Sequence, residues 1–123
     1  MFEHAVTSPE QEVCGLIGGS RGYPQSYYPI KNITDDPVRS FLMDPQGQID
    51  AMHDMRKHGE KLIGIFHSHP FTSADPSAVD LELAAYTDVI YFIISLVGTT
   101  PELSAHYYDG KGFSKIPTLT TIN

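Results

Sequence analysis

Short apolar runs separated by turn-forming residues make up most of the chain. They predict seven strands, at residues 13–17, 23–30, 38–43, 62–66, 89–96, 103–108 and 112–116. The run at 89–96 is continuous, β-branched and aromatic, which is typical of a central strand buried on both faces. Asp109-Gly110 separates the last two runs and predicts a hairpin turn.

Two helices are predicted between these strands. The first begins with Asp44 as N-cap and Pro45 as first helical residue. Apolar side chains then recur at helical spacing as far as Met55, and Gly59 suits a C-terminal cap. A second helix is predicted from residue 77 to about 86, after a loop at 70–76. The order of elements predicts one α/β domain over residues 1–123, with a mixed central sheet flanked by helices.

Composition and charge exclude several classes of function. The chain has 123 residues, of which 41% are hydrophobic and 19% charged, an ordinary balance for one globular domain. Its net charge of −7, from 8 basic and 15 acidic residues, argues against binding to a phosphate backbone. No basic amphipathic stretch is present, which disfavours a membrane surface as a partner.

The chain also carries few signs of export. Its first twenty residues lack the pattern of a signal peptide, and the apolar run at 89–97 is too short to cross a bilayer as a helix. Cys14 is the only cysteine, so no intrachain disulfide can form. These features predict a cytoplasmic protein.

A histidine pair ends the predicted strand at 62–66. His67 and His69 are two positions apart, and side chains at this spacing on a strand point to the same face. Both imidazoles could therefore bind one metal ion. Two solvated loop histidines are the alternative for this pair taken alone.

Asp80 can supply a third ligand from the first turn of the following helix. Two histidines and one carboxylate, with one position open for water, form the pattern of a catalytic zinc site. Ser77 and Asp80 also match a capping box at the helix start, which is the structural alternative. The two interpretations are compatible, because a capped turn would fix both side chains.

The full pattern resembles the JAMM motif of the MPN+ metalloproteases. The matching residues are His67-x-His69, seven residues, and Ser77-x-x-Asp80, with the segment E-V-C-G-L-I-G-G from Glu12 near the start of the chain. The resemblance implies an MPN-like fold and one Zn²⁺ ion with a catalytic water, bound by His67, His69 and Asp80. It also implies that Glu12 is the general base and that Ser77 stabilises the oxyanion.

Glu12 and Cys14 have alternatives of their own. A glutamate before a strand is usually solvated, and only the resemblance favours Glu12 over Glu10. Cys14 would share a strand face with Glu12, and we interpret it as a small buried residue rather than a nucleophile or ligand. About ten residues precede Glu12, so the helix found there in the family is predicted to be short or absent.

The resemblance further implies a substrate class. Short prokaryotic members of the family hydrolyse the bond after the C-terminal Gly-Gly tail of ubiquitin-like or sulfur-carrier proteins. A non-catalytic MPN scaffold that binds a protein partner is one alternative, and a zinc hydrolase of small-molecule amides is another. A nucleobase deaminase is excluded, because its zinc site needs a P-C-x-x-C ligand pair and the chain has one cysteine.

Overall fold

The computed structural model describes residues 1–78, 80, 84 and 86–117. Within them the chain forms two helices and a six-stranded sheet. In chain order these elements are α1 (Phe2–Thr7), β1 (Cys14–Ser20), β2 (Tyr23–Ile30), α2 (Pro45–Lys57), β3 (Lys61–His69), β4 (Val89–Ser95), β5 (Glu102–Tyr108) and β6 (Phe113–Ile116). In this part of the chain no helix is long and apolar enough to cross a membrane.

The sheet is mixed, as the sequence predicts. Its strand order is β2-β1-β3-β4-β5-β6. The β3–β4 pair is parallel and the other four pairs are antiparallel. The parallel register places His69 opposite Ser95, so the C-terminal ends of β3 and β4 meet at one rim of the sheet. The loops that leave these strands therefore start side by side.

Apolar side chains cover both faces of the sheet, because successive strand residues alternate between them. On one face Leu16 and Ile65 pack with Met55 of α2. On the other face Ile17 and Phe66 pack with Ala5 of α1. The chain thus has an apolar cluster on each face of a central sheet, with a helix contributing to each.

The first predicted helix is confirmed. Asp44 is its N-cap and accepts a hydrogen bond from the Gly47 N–H at 3.2 Å, and Pro45 is its first residue. Gly59 follows the C-cap with φ = +69°, in the left-handed region, where a residue with a side chain would be strained. Helix α1 is the short helix expected before Glu12.

The strand predicted at 38–43 is wrong. Met43 forms only an isolated bridge with Asn32, and residues 37–39 form a turn. The Asn32 side chain bonds the Leu42 N–H and the Ser40 carbonyl, so a side chain takes the place of a strand ladder in this loop. Half of the helix predicted at 77–86, residues 79, 81–83 and 85, lies outside the described residues.

Candidate metal centre

Two histidines of strand β3 lie on the same face of the sheet. The Nε2 atoms of His67 and His69 lie 3.0 Å apart. The two residues are only 0% and 2% exposed, so the alternative of solvated loop histidines is wrong. They lie at the C-terminal end of an inner strand, since β1 and β4 flank β3.

Asp80 reaches the pair from beyond the 70–76 loop. Its Oδ2 atom lies 2.9 Å from His69 Nε2 and 3.2 Å from His67 Nε2. The Asp80 N–H donates to Ser77 Oγ at 3.0 Å, and the Ser77 N–H donates to Asp80 Oδ2 at 2.8 Å. This reciprocal pair is a capping box. The capping-box interpretation is confirmed, and the cap fixes the carboxylate that faces the histidines.

The three donor atoms form a triangle that fits a small metal ion. Their separations are 2.9–3.2 Å, whereas a tetrahedral zinc ion with ordinary bond lengths would hold its ligand atoms about 3.3 Å apart. Glu12 lies beside this triangle. One ligand atom from each of Glu12, His67, His69 and Asp80 lies within 4.8 Å of the others.

The pKa shifts of His67 and Asp80 favour the protonation states that bind a metal, whereas the shift of His69 favours the protonated ring. Burial lowers the pKa of His67 despite the nearby Asp80 carboxylate, so this imidazole is neutral. Burial opposes ionisation of Asp80, but hydrogen bonds with both histidines outweigh it and hold the pKa of Asp80 below its usual range. Burial also opposes protonation of His69, but hydrogen bonds to Asp80 and the Ser73 carbonyl raise its pKa. Neutral imidazoles and an ionised carboxylate are the forms that bind metals.

A backbone carbonyl orients the second histidine. His69 Nδ1–H donates to the Ser73 carbonyl at 2.7 Å, which leaves Nε2 unprotonated on the side of Asp80 when the ring is neutral. Such hydrogen bonds fix the tautomer and the ring plane of metal-binding histidines. The placement of the 70–76 loop therefore decides the placement of a candidate ligand.

Side chains of β4 and β5 anchor this loop by binding the backbone carbonyls of the residues on either side of Ser73. Ser95 Oγ donates to the Thr72 carbonyl at 2.5 Å. The Ser104 hydroxyl donates to the Ala74 carbonyl, and His106 Nε2 lies 3.2 Å from the same oxygen. Sequence reasoning gave these side chains no role. The spacing of Ser104 and His106 places them on one face, but only the strand register shows that this face is the one with the site.

Glu12 is buried within the cluster, whereas Glu10 is exposed. The Glu12 residue is 4% exposed. Burial raises the pKa of its carboxyl to about 8, although His69 partly opposes this shift. Among the described residues, the buried side-chain atoms without a hydrogen-bond partner are Glu12 Oε1 and His67 Nδ1, and both belong to this cluster. Buried polar atoms normally have partners, so an ion or water at the cluster would complete the bonding of Glu12 Oε1.

Ser77 and Cys14 lie next to the cluster without joining it. Ser77 Oγ accepts the Asp80 N–H, so its own hydrogen can serve another acceptor. The Cys14 thiol is fully buried and donates to the Ile30 carbonyl at 3.4 Å, and burial raises its pKa to about 12. A thiol of this kind is neither a nucleophile nor a metal ligand, which agrees with its interpretation as a small buried residue.

An apolar cavity opens beside the candidate ligands. Its volume is 130 Å³, and its walls include Leu42, Ile65, His67, Asp80 and Tyr91. Phe41 also lines it and stacks on the His67 ring, with centroids 4.4 Å apart. Free space in this buried region thus adjoins the candidate metal ligands.

Comparison with known proteins identifies similar folds and enzymes. The family model described as prokaryotic homologs of the JAB domain matches residues 1–107. A solution structure of a protein from Desulfitobacterium hafniense is 38% identical, with a TM-score of 0.84 over 94% of this chain and 82% of that chain.

Curated relatives carry the names of peptidases. A desampylase of Haloferax volcanii is 28% identical over 93% of this chain and 81% of its own length. A CysO-cysteine peptidase of Mycobacterium tuberculosis is 31% identical over 77% of this chain and 66% of its own length.

These matches confirm the JAMM/MPN+ resemblance, the α/β fold with its mixed sheet, and the prediction of a peptidase. The family match, covering most of the chain, includes the residues that the structure gathers into one buried cluster. The chain belongs to the prokaryotic JAB domain family.

Proposed function

We propose that this chain is a zinc-dependent peptidase that hydrolyses the bond after the C-terminal Gly-Gly tail of a ubiquitin-like or sulfur-carrier protein. The observation that carries the proposal is the buried group of Glu12, His67, His69 and Asp80. It combines a ligand set for a metal with a carboxylate that has an unpartnered oxygen.

Zinc suits the donor atoms of this site. His67 and His69 would bind it through Nε2 and Asp80 through Oδ2, and these three ligands leave one position of a tetrahedral ion open. When bound, zinc would polarise the scissile carbonyl and lower the pKa of a water molecule. The buried carboxylate of Asp80 supplies the negative charge that favours the bound cation.

Glu12 would act as the general base and then as the general acid of the hydrolysis. Its Oε1 atom is buried without a partner among the described residues, so it is free to accept a proton from the attacking water. Burial holds the pKa of Glu12 at about 8, and a nearby cation would lower it toward neutrality. A group with such a pKa can both accept a proton and return it to the leaving amine. The Ser77 hydroxyl would donate to the developing oxyanion.

Two observations support the substrate class. Relatives include a desampylase, a CysO-cysteine peptidase and a probable TtuB-protein conjugate cleaving protease, the last from Thermus thermophilus. A cavity of 130 Å³ adjoins His67 and Asp80, which leaves room for a segment of a substrate beside the candidate ligands. A cytoplasmic location, as the sequence predicts, remains part of this proposal.

The test is a cleavage assay on the zinc-loaded protein. Candidate carriers with C-terminal extensions or amide-linked adducts are incubated with the wild type and with Glu12→Gln. The masses of the products are measured by intact-protein mass spectrometry. We expect a product that ends in Gly-Gly with the wild type alone. No cleavage of any carrier by zinc-loaded protein would overturn the substrate class.

The same preparations test the alternatives. Hydrolysis of small amides, with carriers left intact, would favour the small-molecule hydrolase. Failure to bind zinc, measured by elemental analysis after purification and by titration, would favour the non-catalytic scaffold.

A further inference from the structure

The side-chain amide of Asn32 uses its full hydrogen-bonding capacity in one loop. Its Nδ2 group donates to the Glu12 carbonyl at 3.0 Å and to the Ser40 carbonyl at 3.1 Å. Its Oδ1 atom accepts from the Leu42 N–H at 2.8 Å and from the Thr34 N–H at 3.2 Å. Two donors and two acceptor lone pairs are all that an asparagine side chain offers. Asn32 therefore joins Glu12 to both arms of the loop between β2 and α2.

The backbone of Glu12 is held by this loop from two sides. The Glu12 N–H donates to the Pro37 carbonyl at 2.5 Å, and the Glu12 carbonyl accepts from Asn32. Glu12 precedes β1 and takes no part in the sheet ladder. Its position therefore depends on the 31–43 segment rather than on regular strand pairing.

The next residue is held by β3. The Val13 N–H donates to Ser68 Oγ at 2.9 Å, and the Ser68 N–H donates to the Val13 carbonyl at 3.0 Å. Glu12 thus lies at a junction, with the histidine strand on one side and the Asn32 loop on the other. A shift of the loop would move the carboxylate relative to the histidines.

We propose that Asn32 is a positioning residue, which places the Glu12 carboxylate against the metal cluster by binding the Glu12 carbonyl. The inference rests on the proposed role of Glu12 as the base, and Asn32 itself touches neither substrate nor metal. The loop that it organises exposes apolar side chains at Ile33, Val38 and Leu42. Placement of the base is therefore tied to the conformation of an exposed loop next to the site.

The substitution Asn32→Asp removes the bond to Glu12. An aspartate of the same shape can still accept the Leu42 and Thr34 N–H groups, but it can donate neither to the Glu12 carbonyl nor to the Ser40 carbonyl. A misplacement of about 1 Å can cost an enzyme about 100-fold in rate. We expect kcat to fall 10- to 100-fold, with KM and zinc content unchanged.

A matched control is Thr34→Val in the same loop. It keeps the size of the side chain but removes the hydrogen bonds of Thr34 Oγ1 with Ser40 Oγ and with the Asp36 N–H, neither of which involves Glu12. We expect its kcat to equal that of the wild type. An equal loss of kcat in Thr34→Val and Asn32→Asp would overturn the proposal, because general loosening of the loop would explain both.

A double-mutant cycle separates positioning from general stability. If Asn32 acts through Glu12, Asn32→Asp has little further effect on the residual rate of Glu12→Gln. A full, additive loss in the Glu12→Gln background would overturn the proposal. If Asn32→Asp does not fold, the uncharged variant Asn32→Ser replaces it in the double-mutant cycle with Glu12→Gln.

Hydrogen exchange of the Glu12 amide gives a readout that needs no substrate. In zinc-free and zinc-loaded protein alike, Asn32→Asp is expected to accelerate exchange of the Glu12 N–H, while Thr34→Val leaves it unchanged. Wild-type exchange in Asn32→Asp would overturn the positioning role even if no substrate is found. Full activity of Glu12→Gln would instead overturn the proposed base, while the exchange result would still show whether Asn32 holds Glu12.

Discussion

The candidate metal ligands and the candidate base are held by different parts of the molecule. His67, His69 and Asp80 come from β3 and the segment just after it, and the intervening loop is bonded to β4 and β5. Glu12 comes from a distant part of the sequence and is held at its backbone by the loop between β2 and α2. We call these parts the metal half and the base half.

Because different contacts hold the two halves, we expect that a substitution can impair one half and leave the other intact. A side chain anchors each carbonyl from Thr72 to Ala74, so the metal half has little freedom to move. The Glu12 carboxylate keeps an oxygen without a partner among the described residues, so the base half is fixed at its backbone only. Variants of one half should therefore alter metal affinity, and variants of the other should alter rate.

The largest expected effect comes from Asp80→Asn. The amide removes the charge that favours a cation and alters the capping box with Ser77. We expect zinc binding to be lost and hydrolysis to fall to background, measured by calorimetric zinc titration and the carrier assay. Asp75→Asn, at an exposed position of the same loop, is the control and should behave as the wild type. Retained zinc affinity in Asp80→Asn would remove Asp80 from the ligand set.

Glu12→Gln should damage only the base half. General acid–base groups contribute about 10²- to 10⁴-fold, so we expect kcat to fall by about that factor. Zinc affinity should stay close to that of the wild type, because the three ligands are untouched. Glu10→Gln is the matched control, since Glu10 is exposed. Unchanged kcat in Glu12→Gln would assign proton transfer to another residue.

The stability of the zinc-free protein should depend on pH through Glu12. Its pKa in the folded protein is about 8, above the ordinary glutamate value of 4.5. The folded state therefore binds the proton more tightly, so the contribution to stability is complete below pH 4.5 and is lost as pH rises through 8. At about 1.4 kcal/mol per pKa unit, the loss is below about 5 kcal/mol.

Denaturant titrations of zinc-free wild type and Glu12→Gln between pH 4 and 9 measure this effect. The wild type should lose stability relative to Glu12→Gln as pH rises. Parallel pH profiles would mean that Glu12 ionises normally in the fold.

The smallest effect is expected from Ser104→Ala, which loosens the metal half without touching a ligand. Loss of the bond to the Ala74 carbonyl should weaken the orientation of His69 through the neighbouring Ser73. Altered outer-shell partners typically cost about 10- to 100-fold in metal affinity, and we expect a value at the lower end because His106 still contacts the loop. Ser114→Ala, on an exposed position of β6, is the control. Equal zinc affinity in both variants would exclude this role of Ser104.

Local signals in the sequence were sufficient to find the three candidate ligands of the metal half, but not the side chains of β4 and β5 that anchor its loop. The i, i+2 spacing placed His67 and His69 on one strand face, and the Ser77–Asp80 capping box is reproduced in the structure. Helix α2 was equally predictable, because Asp44 and Gly59 mark its ends by backbone chemistry.

The base half could not be found from local signals. Nothing near Glu12 distinguishes it from Glu10, and only the family resemblance selected it before the structure showed that Glu12 is buried and Glu10 exposed. The strand predicted at 38–43 failed for a related reason. The apolar residues there satisfy a strand pattern, but the Leu42 N–H and the Ser40 carbonyl bond the Asn32 side chain, a partner that periodicity does not reveal.

The two halves also differ in how far apart they lie along the chain. His69 and Asp80 are 11 positions apart, whereas the Val13–Ser68 contact that brings Glu12 to the site spans 55 positions. Closing a long loop costs more conformational entropy than closing a short one. Bringing Asp80 to His69 therefore costs less chain entropy than bringing Glu12 to the same cluster. The proposed hydrolysis depends on closure of the longer loop as well, through the pairing of β1 with β3.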